Sequence, residues 1–390
     1  MDELIRAQIQ QLAPLLAEVA AAIHACPETG YKEERACALL AGHLERAGFA
    51  VERGAAGIAT AIRAEHGGAT AAGGGPTVGY LAEYDALPEI GHACGHNLIA
   101  AASLGAALAL AAALAAPGAP KGRVVFYGTP AEEGGGGKIR MLEAGAFRDL
   151  DIALMFHPYH RNELEYFALG SYPLRITFRG KASHAAAAPH EGINALEALL
   201  LTFNGINALR QHVRDGTRIH GIVREGGVAP NIVPAQAVGE FYVRSDDPVY
   251  LEELVEKVQN CARGGALATG AEVEFALTGP VYAPMKNNQA LLASFKRFMP
   301  DLAEDVPPTP SSSDLGNLSQ VVPAIQPLLA ISEARVPPHS PAFARAAASE
   351  RGRKVGLQAA NALALTGLKF LADESLRERV TAEFQGKNSG

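Results

Sequence analysis

Between Gly79 and Ala100 the chain reads GYLAEYDALPEIGHACGHNLIA, and no other stretch constrains the fold as strongly. A short apolar run, Thr77 to Leu81, leads into a loop that crowds Glu83, Asp85, His92, Cys94 and His96 together. A long Ala/Leu run then leaves it. Strand, polar loop and helix in that order is how an α/β sheet presents a site at the carboxyl edge of its strands. Leu98 to Ala116 is uncharged for long enough to cross a membrane. It is Ala-rich, however, contains Ser103 and Gly105, and lacks an aromatic or basic belt. The expectation is therefore a helix buried behind the loop, not a membrane span.

The 390 residues suffice for more than one domain, and 48% of them are apolar, which describes a globular chain. A formal charge of −7 with no run of Lys or Arg argues against a nucleic-acid surface. Four cysteines, at 26, 37, 94 and 261, lack the spacing of a disulfide framework, and the acidic start MDELIRAQIQQL lacks the form of a signal peptide. A reduced, cytoplasmic setting is expected.

Along the chain, apolar periodicity predicts a helix over 3–24, with a kink or break at Pro14, and a second from Glu33 to about Ala47, stopped by Gly48. Val51 to Ala64 alternates as a strand pair, and the Gly-rich 69–76 is expected to be an exposed hairpin or loop. Arg123 to Tyr127 and Ile152 to Phe156 are short buried strands, each running into a loop with polar candidates. From Tyr172 the order becomes βαββαβ: strands near 172–179, 217–223, 236–244 and 271–277, with helices over 194–209 and 251–266. The reading is an α/β protein in which residues 1–171 and 283–390 form one layered domain around a central mixed sheet. Residues 172–282 form an inserted, ferredoxin-like α+β domain. The return to the first domain brings a helix near 289–298, a Pro/Ser-rich loop at 307–313, an apolar stretch at 321–331 and a largely helical end from Ala342 to Leu371.

Taken singly, each polar candidate is weak, since a lone histidine is usually a hydrogen-bonded structural residue. Cys94, His96, Glu133 and His157 nevertheless fall in loops after successive strands, where one sheet would gather them, and His339 could close the set. Cys and His are good ligands for a borderline-soft divalent cation, and Asp85 or Glu83 could orient an imidazole from behind. In GTPAEEGGGGK (128–138), adjacent acids on extended backbone would point opposite ways, so Glu132 and Glu133 can take different jobs, one on metal and one on protons.

The segments HACGHN, PAEEGGGGK, FHPY, SHAAAAPHEGINA, NIVPA and the His339-Ser340-Pro341 loop resemble peptidase family M20 metallo-amidohydrolases. SSSDLGNLS (311–319) and Asn97 point toward the aminobenzoyl-glutamate hydrolase and β-alanyl-lysine-type dipeptidase side of that family. The resemblance implies Cys94, His96, Glu133, His157 and His339 as ligands of two divalent ions, with Cys94 bridging and Glu132 as general base. Two cations roughly 3.5–4 Å apart can engage both the attacking hydroxide and the scissile carbonyl. Zinc is the first expectation for a thiolate-containing site, with manganese, cobalt or nickel as alternatives. The resemblance also implies His184 as an oxyanion donor, Asn231 and Arg244 as holders of a substrate carboxylate, and the inserted domain as a lid and homodimer surface. The substrate would be a small N-acyl-amino acid or dipeptide; neither nucleic acid nor membrane is expected as a partner. One departure stands at Ala342, where the family often carries a carboxylate three residues after the histidine matching His339.

Two other readings compete. Cys94 could be a nucleophile with His96 as its base, but residues two apart need an unusual loop for that, and the glutamate pair would be idle. A non-catalytic ligand-binding relative would carry a degraded site, whereas every proposed position here holds a competent residue.

Overall fold

The computed structural model describes residues 1–67, 74–300, 302 and 311–386. The loop expected at 69–76 therefore lies largely outside the described residues, as does the first part of the one expected at 307–313. The chain forms two compact units. The second takes Ala168–Met285 with residues 311–316, and the first takes Met1–Phe167 with the rest of the described chain.

In the first unit, β1 (Ala50–Arg53), β2 (Ile62–Gly67), β3 (Thr77–Ala82), β4 (Arg123–Gly128), β5 (Ile152–Leu154) and β11 (Ala324–Ile325) make a six-stranded sheet in the order β1-β2-β4-β3-β5-β11. Strands β4, β3, β5 and β11 run parallel, and β1 and β2 are antiparallel additions at one edge. Every residue of β3 is buried, as expected of a strand covered on both faces. Loops leaving the carboxyl ends of β3, β4 and β5 thus emerge side by side.

Helix α1 (Asp2–Ala25) is a single helix through Pro14, so of the expected kink or break the break does not occur. Pro14 and Gln10, whose carbonyl loses its partner, are both exposed, so water can satisfy the freed oxygen. Next come α2 (Glu34–Arg46), α3 (His96–Leu114) and α4 (Gly137–Glu143). The Ala/Leu helix α3 is long and apolar enough to cross a membrane, but 89% of its most apolar window is buried inside the protein. It is covered by the sheet, by α1 and by α10 (Glu350–Ala372), which explains why it carries no polar face. Helix α10 passes the same length and composition test and is 67% buried. The strand expected over Ile152 to Phe156 is shorter: β5 stops at Leu154, and His157 opens β6 (His157–Tyr159), which pairs in parallel with β12 (Leu328–Ala330).

The second unit pairs β7 (Gly170–Arg179), β8 (Arg218–Glu225), β9 (Gln236–Ser245) and β10 (Glu272–Leu277) in the order β10-β7-β9-β8, antiparallel throughout. Helices α5 (Ala195–Leu209) and α6 (Pro248–Thr269) pack together on this sheet over a core of Leu174, Ile176, Phe178, Phe241, Val243 and Leu254. Residues 311–316, assigned by the sequence pattern to the other domain, join here. Ser311 bridges to Ala168, and the Ser312 hydroxyl donates to Leu169 O at 3.0 Å. No local pattern announces a contact between residues so far apart in the chain.

The chain between and after these elements holds α7 (Gln289–Arg297), the short α8 (Leu315–Ser319), α9 (Pro341–Ala347) and a final α11 (Glu374–Phe384) that the sequence pattern does not announce.

Candidate metal centre

Six of the expected site residues belong to the first unit, and its sheet gathers them. Cys94 and His96 lie between β3 and the first turn of α3, where Gly95 at φ +80° turns the chain into the helix. Glu132 and Glu133 follow β4, His157 follows β5, and His339 precedes α9. His339 sits at φ +58°, and its N–H donates to Ala93 O at 2.9 Å, tying its loop to the one that carries Cys94.

Donor atoms of Cys94, His96 and His157 lie within 4.8 Å of one another, and so do those of Cys94, Glu133 and His339. Cys94 belongs to both groups. Within them, Cys94 Sγ is 3.5 Å from His157 Nε2, and His339 Nε2 is 3.3 Å from Glu133 Oε1. Two donors at about 2.0–2.3 Å from one tetrahedral cation stand roughly 3.3–3.6 Å apart, so these gaps have the width a cation needs. His96 Nε2 is buried and, among the described residues, has no hydrogen-bond partner, which few native polar atoms tolerate. The chemistry of the set, one thiol, three imidazoles and a carboxylate, suits a divalent transition ion.

Behind these atoms Asp85 ties two loops together. One carboxylate oxygen meets His96 Nδ1 at 2.9 Å and the other accepts from Glu133 N at 2.9 Å. His96 is thereby left with Nε2 facing the other donors. Burial opposes charging His96, but the Asp85 carboxylate and the Cys94 sulfur outweigh it and raise its pKa. Burial holds His157 down to about 4, the neutral form a metal ligand requires. It also pushes the Cys94 thiol up, with the Glu133 carboxylate adding to the effect; a bound cation reverses that by favouring thiolate. Burial alone would raise Glu133, yet the hydrogen bond to His339 and the nearby His96 leave it lowered, while that same bond raises His339.

The extended backbone expected for Glu132 and Glu133 is absent. Residues 132–135 form a turn, entered at Ala131 with φ +57° and followed by Gly134 and Gly136, also at positive φ. The two carboxylates therefore do not splay to opposite sides; a donor oxygen of each lies within 4.8 Å of a His96 ring nitrogen.

Glu83, expected only as an orienting group, is fully buried. It takes the Lys138 ammonium at 2.6 Å on Oε1, while Oε2, without a hydrogen-bond partner among the described residues, lies 3.5 Å from His96 Nε2. Lys138 and Glu33 are among the buried charged residues that the sequence reading missed. A lysine after four glycines and a glutamate at a helix start both look like surface residues.

The other three candidates lie in the second unit. His184 is exposed in the loop after β7, its Nδ1 accepting from Ala186 N at 3.2 Å and Ala187 N at 3.1 Å. Asn231 O accepts from Ala185 N at 3.0 Å, so those two loops run together. Arg244, on β9, donates to Ser312 Oγ at 2.9 Å, and its buried Nε has no hydrogen-bond partner among the described residues.

A family model described as Peptidase family M20/M25/M40 matches residues 80–362. The Xaa-Arg dipeptidase of Mus musculus is 39% identical over 97% of this chain and 91% of its own length. The Xaa-Arg dipeptidase of Homo sapiens is 37% identical, again over 97% of this chain and 91% of its own. Among solved structures, a Bacillus subtilis protein described as a dinuclear metal-binding peptidase of the M20 family superposes with a TM-score of 0.71 at 22% identity, covering 92% of this chain and 99% of that one.

Proposed function

Because this chain belongs to peptidase family M20/M25/M40, we propose that it uses two divalent metal ions to hydrolyse the amide bond of a dipeptide or an N-acyl-amino acid. The observation that carries the reading is the sharing of Cys94 between two groups of donors, His96 with His157 on one side and Glu133 with His339 on the other. A thiolate in that position would bridge two cations. When bound, such a pair supplies a Lewis acid for the scissile carbonyl and lowers the pKa of a water molecule. Zinc suits the thiolate best, with manganese, cobalt or nickel as alternatives, and a reducing compartment such as the cytoplasm would keep Cys94 competent.

Glu132 is the general base in this reading: it accepts the proton of the attacking water and returns it to the leaving amine. Its place beside His96 and Glu133 supports that role. Asp85 holds His96 and the backbone of Glu133 in register. His184 takes the oxyanion, and Asn231 and Arg244 take the substrate carboxylate; among the described residues the Nε of Arg244 has no acceptor, which supports a donor role. The similarity to an Xaa-Arg dipeptidase over nearly the whole chain favours a dipeptide over an acyl-amino acid. The second unit serves as lid and homodimer surface; its strand order and the exposed edge strand β8 agree with a ferredoxin-like module that pairs with a copy of itself.

The test is Glu132→Gln. Turnover of a dipeptide panel should fall at least about a thousandfold, with metal content by elemental analysis staying near two ions per chain. Loss of an ion instead would exchange the roles of Glu132 and Glu133. Activity that survives chelation but not a thiol reagent would revive Cys94 as a nucleophile.

A further inference from the structure

Glu33 is fully buried, and among the described residues no cation pairs with it. Its two oxygens are nonetheless both engaged. Oε1 accepts from Ala131 N at 2.8 Å, and Oε2 accepts from the Thr60 hydroxyl at 2.8 Å. Ala131 immediately precedes Glu132 and holds φ +57°, a conformation few residues with a Cβ adopt without support. The pocket around it is closely shaped. A Cβ added at Gly30 would stand 2.9 Å from that of Ala131, and one at Gly135 would stand 2.6 Å from it.

Glu33 has a local task it does not perform. It occupies the N-cap of α2, yet its side chain makes no capping bond there. The first-turn donors Arg35 N and Ala36 N are taken instead by the Glu28 carboxylate, each at 3.0 Å. Glu28 thereby releases Glu33 to point away from its own helix. The same short segment touches both site loops: Ala86 N donates to Glu28 O at 2.8 Å, and the Tyr31 hydroxyl donates to Gly135 O at 2.6 Å. A buried carboxylate without a cation is costly, and burial raises its pKa. A satisfied acceptor at one backbone N–H of a strained turn is a specific return for that cost.

We infer that Glu33 is a positioning residue for the Glu132–Glu133 turn: its carboxylate holds Ala131 in the left-handed conformation from which both glutamates project. The inference rests on the reading of Glu132 as general base. Without the Glu33 acceptor, Ala131 relaxes toward negative φ and Glu132 is displaced, whereas Glu133 stays in place because Asp85 holds its N–H at 2.9 Å.

The test compares Glu33→Ala with Glu33→Gln in the metal-loaded enzyme. Glu33→Ala is expected to lower kcat roughly tenfold or more with KM within about twofold and metal content unchanged. Glu33→Gln should restore kcat to within about threefold, because its amide oxygen can still accept from Ala131 N while the Thr60 hydroxyl turns to accept from the amide. A wild-type kcat in Glu33→Ala overturns the inference, as does a Glu33→Gln enzyme as impaired as the alanine variant. If Glu33→Ala does not fold, Thr60→Val decides: isosteric and lacking the hydroxyl that holds Oε2, it should lower kcat about threefold, and an unchanged kcat overturns the inference. Glu132→Gln keeps the two readings apart. An active Glu132→Gln sinks the base assignment whatever Glu33 does, whereas an inert Glu132→Gln beside a fully active Glu33→Ala sinks Glu33 alone.

Discussion

Lys138 and Glu83 meet at 2.6 Å with neither side chain exposed, at the back of the donor cluster. Breaking such a pair from one side strands a charge in a low dielectric. Lys138→Met is therefore expected to cost about 3–5 kcal/mol, read from the urea midpoint, with Glu83→Gln in the same background recovering part of it. Equal midpoints for Lys138→Met and wild type would mean that water reaches the pair. Arg244 makes a different kind of contact. Its bond to Ser312 leaves Nε without a hydrogen-bond partner among the described residues, so Arg244→Ala should raise KM for carboxylate-bearing substrates by roughly tenfold or more and leave their amides nearly unaffected. The same rise for both classes would remove it from substrate binding.

Helix ends show how far local sequence reaches. Asn194 opens α5 with Oδ1 accepting from Leu196 N at 3.0 Å and Glu197 N at 3.2 Å, so Asn194→Ala should lower the stability of the second unit by about 1 kcal/mol in thermal unfolding. Asn194→Gly should cost only a few tenths, and a larger loss there would point to a role beyond capping. That cap is readable from the residue type and the periodic run behind it. At α2 the same logic misleads, because the capping oxygens come from Glu28 and the residue at the cap serves a turn almost a hundred residues away. Pro14 misleads in the other direction: the helix runs on through it without a break, and Gln10, whose carbonyl it leaves without a partner, is an exposed residue.

At the scale of the molecule, the second unit carries β8 at a sheet edge with both faces open, and Ile222 and Val223 are 54% and 45% exposed. An edge strand with exposed apolar residues at its centre is a template for pairing with another chain. Light scattering is expected to find a dimer for the wild type and a monomer for Ile222→Lys, since a charged edge residue opposes pairing; a monomeric wild type would end the homodimer reading.

What the sequence determined by itself was whatever local chemistry repeats along the chain. The strand–loop–helix at Gly79 to Ala100, the βαββαβ order and the identities of Cys94, His96, Glu133, His157 and His339 as candidate ligands all follow from periodicity, residue type and motif order. The tertiary structure alone decided the relations between distant residues. It set Cys94 between two groups of donors, divided Asp85 between His96 and Glu133, buried Lys138 against Glu83, and sent Glu33 to Ala131. The physical reason is that a buried charge becomes tolerable only through partners that folding delivers, and a residue's own neighbours in sequence carry no record of them.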